Sequence, residues 1–149
     1  TLAVDAAAFE HFRHAIELPE PRGALGPRLR GIASSAIDVS DGLLGDLAHI
    51  LRRSGVGARL DADALPRSAA LAALAPALQL ECLLHGGDDY ELLFSAPPAQ
   101  HQAVLAAARD AGVPATCIGR IEAGTALRVL DGAGRPLEFK AGGFDHLKA

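Results

Sequence analysis

The sequence predicts an α+β fold: a mixed sheet with helices packed on it. Two patterns point there. Short apolar runs with strand character are interleaved with amphipathic helical stretches, and the chain closes in strands joined by a tight turn. Interleaved strands and helices call for a sheet covered by helices, and a terminal hairpin excludes a purely parallel, doubly wound sheet. Composition supplies a third indication. Half of the 149 residues are apolar, yet there are only five Phe, one Tyr and no Trp. The core must therefore be built from Leu, Ile, Val and Ala, mostly on helices. No repeat, low-complexity linker or second domain is visible, and residues 1–149 fit one domain with a real core.

Each element has a local reason. Residues 5–18 read as a helix, because Ala8, Phe9, Phe12, Ala15 and Ile16 recur at helical spacing before Pro19 and Pro21 end it. His11 and His14 fall on its solvated face. Residues 22–33 read as a weaker helix with Leu25, Leu29 and Ile32 inward, opposed by Gly23, Gly26 and Pro27. A strand through Ile37 and Val39 follows. The helix over 42–53 is the clearest in the chain: Leu43, Leu44, Leu47, Ile50 and Leu51 form its stripe, with Asp46, His49, Arg52 and Arg53 largely off it. Gly55 supplies its stop. Then come a strand over 56–60, a mostly helical stretch over 71–84 and a strand over 90–95. A helix spans 100–111, closed by Gly112 and Pro114. Strands at 116–121, 126–130 and 137–139 complete the chain, the last two joined through Asp131-Gly132-Ala133-Gly134.

Charge and composition exclude several functions. The formal net charge is −4, and Lys and Arg form no stripe, so a nucleic-acid surface is not expected. No apolar run approaches the roughly 20 residues that span a bilayer, and the first residues lack the basic-then-apolar pattern of a signal peptide. A cytoplasmic location is expected. Cys82 and Cys117 stand alone in apolar surroundings and read as reduced, buried packing residues.

Two stretches carry chemistry. In Ala36-Ile37-Asp38-Val39-Ser40-Asp41-Gly42, Ile37 and Val39 point to one face and Asp38 and Ser40 to the other. Ser40 or Asp41 can cap the following helix, and Gly42 permits a sharp turn. Asp38 and Asp41 then lie close together at a helix N-terminus. At about 6 Å and an effective dielectric of about 20, two carboxylates repel by roughly 3 kcal/mol. A hard cation such as Mg²⁺ would relieve this, while a simple helix cap accounts for Ser40 and Asp41 equally well. The second stretch is Gly86-Gly87-Asp88-Asp89-Tyr90-Glu91, with three acids in four positions. It fits either a solvated strand edge or a ligand-bound one. Tyr90 fits a core position better than a hydroxyl donor. Phe144, between glycines and Asp145, fits either a core plug or a flat face for a ring.

These stretches, with Pro19-Glu20-Pro21-Arg22, Asp46-Leu47-Ala48-His49-Ile50, Gly57-Ala58-Arg59 and Gly143-Phe144-Asp145-His146, resemble the thiamine-monophosphate kinase family. That family sits in the aminoimidazole-ribonucleotide-synthetase-like superfamily. The resemblance runs over nearly the whole chain but covers only the C-terminal half of such a kinase. It implies an N-terminal domain carrying further metal ligands, most of the nucleotide site and the homodimer contact. It implies transfer of the ATP γ-phosphoryl group to thiamine monophosphate, with Mg²⁺ held by Asp38 and Asp41 and Ser40 touching ATP. It places Asp88 and Phe144 against the thiamine phosphate; the family usually has Glu where this chain has Asp88. By itself the chain is expected to fold without catalysing. Two rival expectations are another ATP-using enzyme of the superfamily, of the purine-pathway or selenophosphate synthetase type, and a non-catalytic interaction module.

Overall fold

The protein is described by a computed structural model covering residues 4–139. Its first element is α1 (Ala6–Glu17), begun by Asp5, whose carboxylate accepts the Ala8 N–H at 2.7 Å. The helix forms as its spacing predicts, yet none of its residues is buried, and Phe9 and Ile16 stay exposed. Where a second helix was expected, only the 3₁₀ turn Gly26–Leu29 forms. Gly23 and Gly26 weaken a helix, and Pro27 removes a donor. Leu25 and Leu29 nevertheless point inward as the pattern required.

The strands β1 (Ser35–Asp38) and β3 (Leu92–Ser95) make one antiparallel ladder, with Ile37 opposite Leu93 and Asp38 opposite Leu92. Three more strands make a mixed sheet in the order β4-β2-β5. Here β2 (Gly57–Asp61) runs antiparallel to β4 (Gly119–Glu122) and parallel to β5 (Leu127–Leu130). The mixed sheet read from the sequence is this one, and the Asp38 strand lies in a ladder of its own.

The helices are α2 (Leu43–Ser54), α3 (Ala69–Ala72), α4 (Pro76–His85) and α5 (His101–Ala111). The stretch read as mostly helical over 71–84 forms as two helices, α3 and α4, because Pro76 is tolerated only in a first turn. Gly55 and Gly112 end α2 and α5 in the left-handed conformation. Residues 137–139 do not form a strand. The hairpin closes through one bridge, Leu130 to Pro136, and proline cannot donate to a ladder.

Two apolar clusters fill the interior. The larger joins Leu43, Leu44, Leu47 and Leu51 of α2 to Ala58 and Leu60 of β2, Leu84 of α4 and Val129 of β5. The smaller sets Leu25 and Leu29 against Ala107 and Ala108 of α5. Strand β3 divides its side chains between them: Leu93 packs on the first, Leu92 and Phe94 on the second. This period-two alternation fixes the β1–β3 ladder between the clusters. Cys82 and Cys117 are both exposed, contrary to expectation. On α4 the inward direction is taken by Leu84, so apolar neighbours in sequence did not mark the Cys82 side chain as buried.

Leu84 is 2% exposed at the contact of α4 with α2. Leu84→Ala is expected to cost about 2–5 kcal/mol of unfolding free energy. Cys82→Ala, on the same helix, should change it by no more than about 0.5 kcal/mol. Denaturant unfolding of both variants checks this; a neutral Leu84→Ala would contradict the placement of the core.

Candidate functional site

The β1–β3 ladder does not stop where regular strand ends. The Val39 N–H donates to the Glu91 carbonyl at 2.9 Å, and the Tyr90 N–H donates to the Val39 carbonyl at 2.8 Å. Beyond them the Asp88 N–H donates to the Ser40 carbonyl at 2.9 Å. The two acidic stretches are therefore joined backbone to backbone. Asp38, Ser40 and Asp41 come from one side, and Asp88, Asp89, Tyr90 and Glu91 from the other. Val39 is 6% exposed and Asp38 is exposed, as the alternation predicted; Asp41, beyond the strand, is exposed as well.

Two glycines make this approach possible. Gly42 has φ +101°, and a Cβ there would lie 2.9 Å from the His85 carbonyl oxygen. A Cβ on Gly87 would lie 2.5 Å from the Ser40 carbonyl oxygen. Any side chain at either position would push the two stretches apart. Asp88 and Tyr90 also have positive φ, 62° and 51°. These conformations delay the strand to Leu92, two residues later than the sequence suggested.

The helix cap differs from expectation. Gly42 is the N-cap residue of α2, and no side chain caps it. Instead Asp46, in the first helical turn, reaches back. Its Oδ2 accepts the Ser40 N–H at 2.9 Å and the Asp41 N–H at 3.0 Å. Asp46 is 3% exposed, the sole buried charged residue among those described. The sequence places it largely off the apolar stripe, which gave no sign of this burial. The arrangement resembles a capping box shifted outward: a carboxylate satisfies N–H groups that the helix cannot.

Arg22 supplies the neighbouring positive charge. Its Nε donates to Glu91 Oε2 at 2.8 Å and its Nη2 to Glu91 Oε1 at 2.5 Å, while Nη1 donates to Glu20 Oε2 at 2.9 Å. The bidentate contact with Glu91 raises the guanidinium further above its ordinary value. Asp38 and Asp41 form no ion pair among the described residues. Tyr90 is exposed rather than buried, and its hydroxyl donates to Asp88 Oδ1 at 3.2 Å. That bond, and the charges of Asp88 and Asp38, hold the phenol proton more tightly than usual. Asp89 has its carboxyl raised above the usual carboxylate range, first by partial desolvation and then by the charges of Glu91 and Asp88.

The site thus contains four of the five residues singled out from the sequence. Asp38, Ser40, Asp41 and Asp88 are brought together, and Phe144 lies outside the described residues. The sequence reading missed Asp46 and the pairing of Arg22 with Glu91. Asp38 and Asp41 fit a hard divalent cation in ligand type: both are exposed oxygen donors without a cationic partner among the described residues. No group of three or more potential ligands gathers among those residues, so this chain brings two carboxylates rather than a complete cage. A shallow hollow lined by Arg59, Asp61, Asp63 and Asp131 lies on other elements and includes none of these residues. No described helix is long and apolar enough to cross a membrane.

The fold and site define an α+β domain that presents an acidic strand-to-helix turn, tied to a second acidic stretch. Residues 22–132 match the family described as AIR synthase related protein, C-terminal domain, and the chain belongs to that family. The thiamine-monophosphate kinase of Salmonella typhimurium is 46% identical to it over 129 residues, which are 86% of this chain and 40% of that relative. The crystal structure of thiamine-monophosphate kinase from Stenotrophomonas maltophilia superposes with a TM-score of 0.79 at 46% identity, over 86% of this chain and 41% of that one. A structure described as AaThiL complexed with AMPPCP and TMP superposes with a TM-score of 0.61 at 27% identity, over 90% of this chain and 45% of that one. The chain therefore spans less than half the length of these proteins.

The raised Asp89 carboxyl has a consequence for stability. A group whose folded value lies above its unfolded value, about 3.9 for Asp, favours the fold fully below that unfolded value. It loses this contribution as pH rises through the folded value. Asp89→Asn mimics the protonated form. The melting temperature of Asp89→Asn minus that of the wild type should therefore grow as pH rises from the acid range and then level off. A difference independent of pH would contradict the assignment.

Proposed function

We propose that this chain is the C-terminal domain of a thiamine-monophosphate kinase. Joined to the rest of such an enzyme, it would take part in moving the ATP γ-phosphoryl group onto thiamine monophosphate, giving thiamine diphosphate and ADP. The observation that carries this reading is the backbone joining of the Asp38–Asp41 turn to the Asp88 stretch, in a chain 46% identical to a kinase of that name. The relative complexed with AMPPCP and TMP supports ATP as the donor.

Residue roles follow from charge and geometry. Both reactants are anionic, and the surface that Asp38, Asp41, Asp88 and Asp89 present is anionic too. Asp38 and Asp41 would hold Mg²⁺, which when bound neutralises phosphate charge and orients the phosphate oxygens. Ser40 donates its N–H to Asp46 and accepts at its C=O from Asp88, and its hydroxyl would contact ATP. Asp88, fixed by its N–H bond to Ser40, and Phe144 would contact thiamine monophosphate. A phosphate nucleophile needs no general base, and the chain's contribution is positioning. The remaining part of the enzyme would be an N-terminal domain that supplies further ligands, most of the nucleotide site and a homodimer contact. We place the enzyme in the cytoplasm, where its ATP is.

The test uses the enzyme with its N-terminal part. Thiamine diphosphate should form from thiamine monophosphate, ATP and Mg²⁺, and formylglycinamidine ribonucleotide or selenide should not replace the acceptor. Asp38→Asn or Asp41→Asn should lower turnover on the order of 10²-fold or more, with the thermal transition retained. Unchanged turnover and unchanged Mg²⁺ dependence in both variants would remove the metal assignment.

A further inference from the structure

The stretch that carries Asp88 is gripped from outside by Arg22. The two partners, Arg22 and Glu91, stand 69 residues apart in the chain, and the Arg22 side chain is 17% exposed. Its backbone is fixed first. The Arg22 carbonyl accepts the N–H groups of Leu25 at 3.0 Å and Gly26 at 3.3 Å. Leu25 in turn packs with Leu29 against α5 in the smaller cluster. From that footing the guanidinium forks onto both oxygens of Glu91, with its remaining nitrogen on Glu20. A planar fork matched to a carboxylate fixes direction as well as charge.

Glu91 stands where the regular ladder gives way to the joined acidic stretches. Tyr90 and Glu91 together oppose Val39: the Tyr90 N–H donates to the Val39 carbonyl, and the Glu91 carbonyl accepts the Val39 N–H. Two residues against one is the form of a β-bulge, a device that re-aims side chains. Tyr90 at φ +51° and Asp88 at φ +62° are strained for residues with a side chain. Such backbone lasts only where its surroundings over-determine it. Burial does not offset the strain here, because both residues are exposed.

We infer that Arg22 is a positioning residue for the acceptor side of the site: by forking onto Glu91 it holds the bulge, and with it Asp88, against the Asp38–Asp41 turn. It acts through Glu91 and needs no contact with either substrate. The inference deepens the proposed function and rests on that reading for what Asp88 meets, thiamine monophosphate.

Two measurements test it. The first is amide hydrogen exchange in the 149-residue chain. Val39, Asp88 and Tyr90 should exchange about tenfold faster or more in Arg22→Ala, while Leu93 keeps its rate. Arg22→Lys, which keeps the charge but cannot fork, should behave as Arg22→Ala does. Unchanged exchange at the three amides, or wild-type rates restored by lysine, would overturn the inference. The second is steady-state kinetics of the enzyme with its N-terminal part. Both variants should raise the KM for thiamine monophosphate about tenfold or more and leave that for ATP within about twofold. In a Glu91→Ala background, Arg22→Ala should add nothing further, because the fork has lost its object. A loss that adds in full would mean that Arg22 meets the substrate itself. A lowered melting temperature with both KM values unchanged would mean a merely structural pair. Either result overturns the inference. Should Arg22→Ala not fold, Arg22→Lys decides both measurements. A wild-type enzyme that makes no thiamine diphosphate would sink the proposed function, and the exchange rates would still decide the role of Arg22.

Discussion

Three backbone hydrogen bonds beyond the end of a strand pair hold the site together. Val39 exchanges bonds with Tyr90 and Glu91, and Ser40 accepts from Asp88. Without them the chain would have two acidic loops more than 40 residues apart in sequence, each free to move away from the other's charge. With them, like charges are fixed side by side. The surrounding fold makes this tolerable. The α2 leucines that follow the turn tie one stretch to the larger cluster, Leu92 and Phe94 tie the other to the smaller, and two glycines remove the atoms that would collide.

The charge balance of the site follows from that constraint. Arg22 pairs with Glu91 and Glu20 from one side, offsetting one of their two charges. Asp46 is neutralised by N–H dipoles rather than by a cation. Asp89 retains its proton more readily through partial desolvation and the charges of Glu91 and Asp88. Asp38 and Asp41 remain as exposed carboxylates. A surface with this distribution repels a bare phosphate and suits one that arrives with a divalent cation, which is the chemistry of phosphoryl transfer.

Local features of this arrangement were legible in the sequence, and long-range ones were not. The Ile37/Val39 alternation, the leucine stripe of α2 and the glycine stops are properties of neighbours in the chain, and each forms as its pattern implies. The Arg22–Glu91 pair joins residues 69 apart, which no local pattern reveals. Asp46 was misread because a helical wheel scores only the sides of a helix. An acid in the first turn, following Ser40-Asp41-Gly42, was the available signal, since such an acid can fold back over the end. Tyr90 was misplaced for a related reason: its positive φ breaks the strand alternation that would have carried it inward. The ligand assignments of Ser40, Asp88 and Phe144 came from resemblance; the residues alone left Asp88 and Phe144 open between a structural and a ligand-facing reading.

Backbone amide hydrogen exchange at Val39, Asp88 and Tyr90 tests the central claim most directly. If the paired backbones hold the site, these three amides should exchange as slowly as those of the β1–β3 ladder and open with it as one unit. Asp41, whose N–H is held by a side chain, offers an internal comparison in the same turn. Exchange of Asp88 and Tyr90 at the rate of an unstructured loop, while Ile37 and Leu93 remain protected, would contradict the account. The two acidic stretches would then be neighbours without being joined.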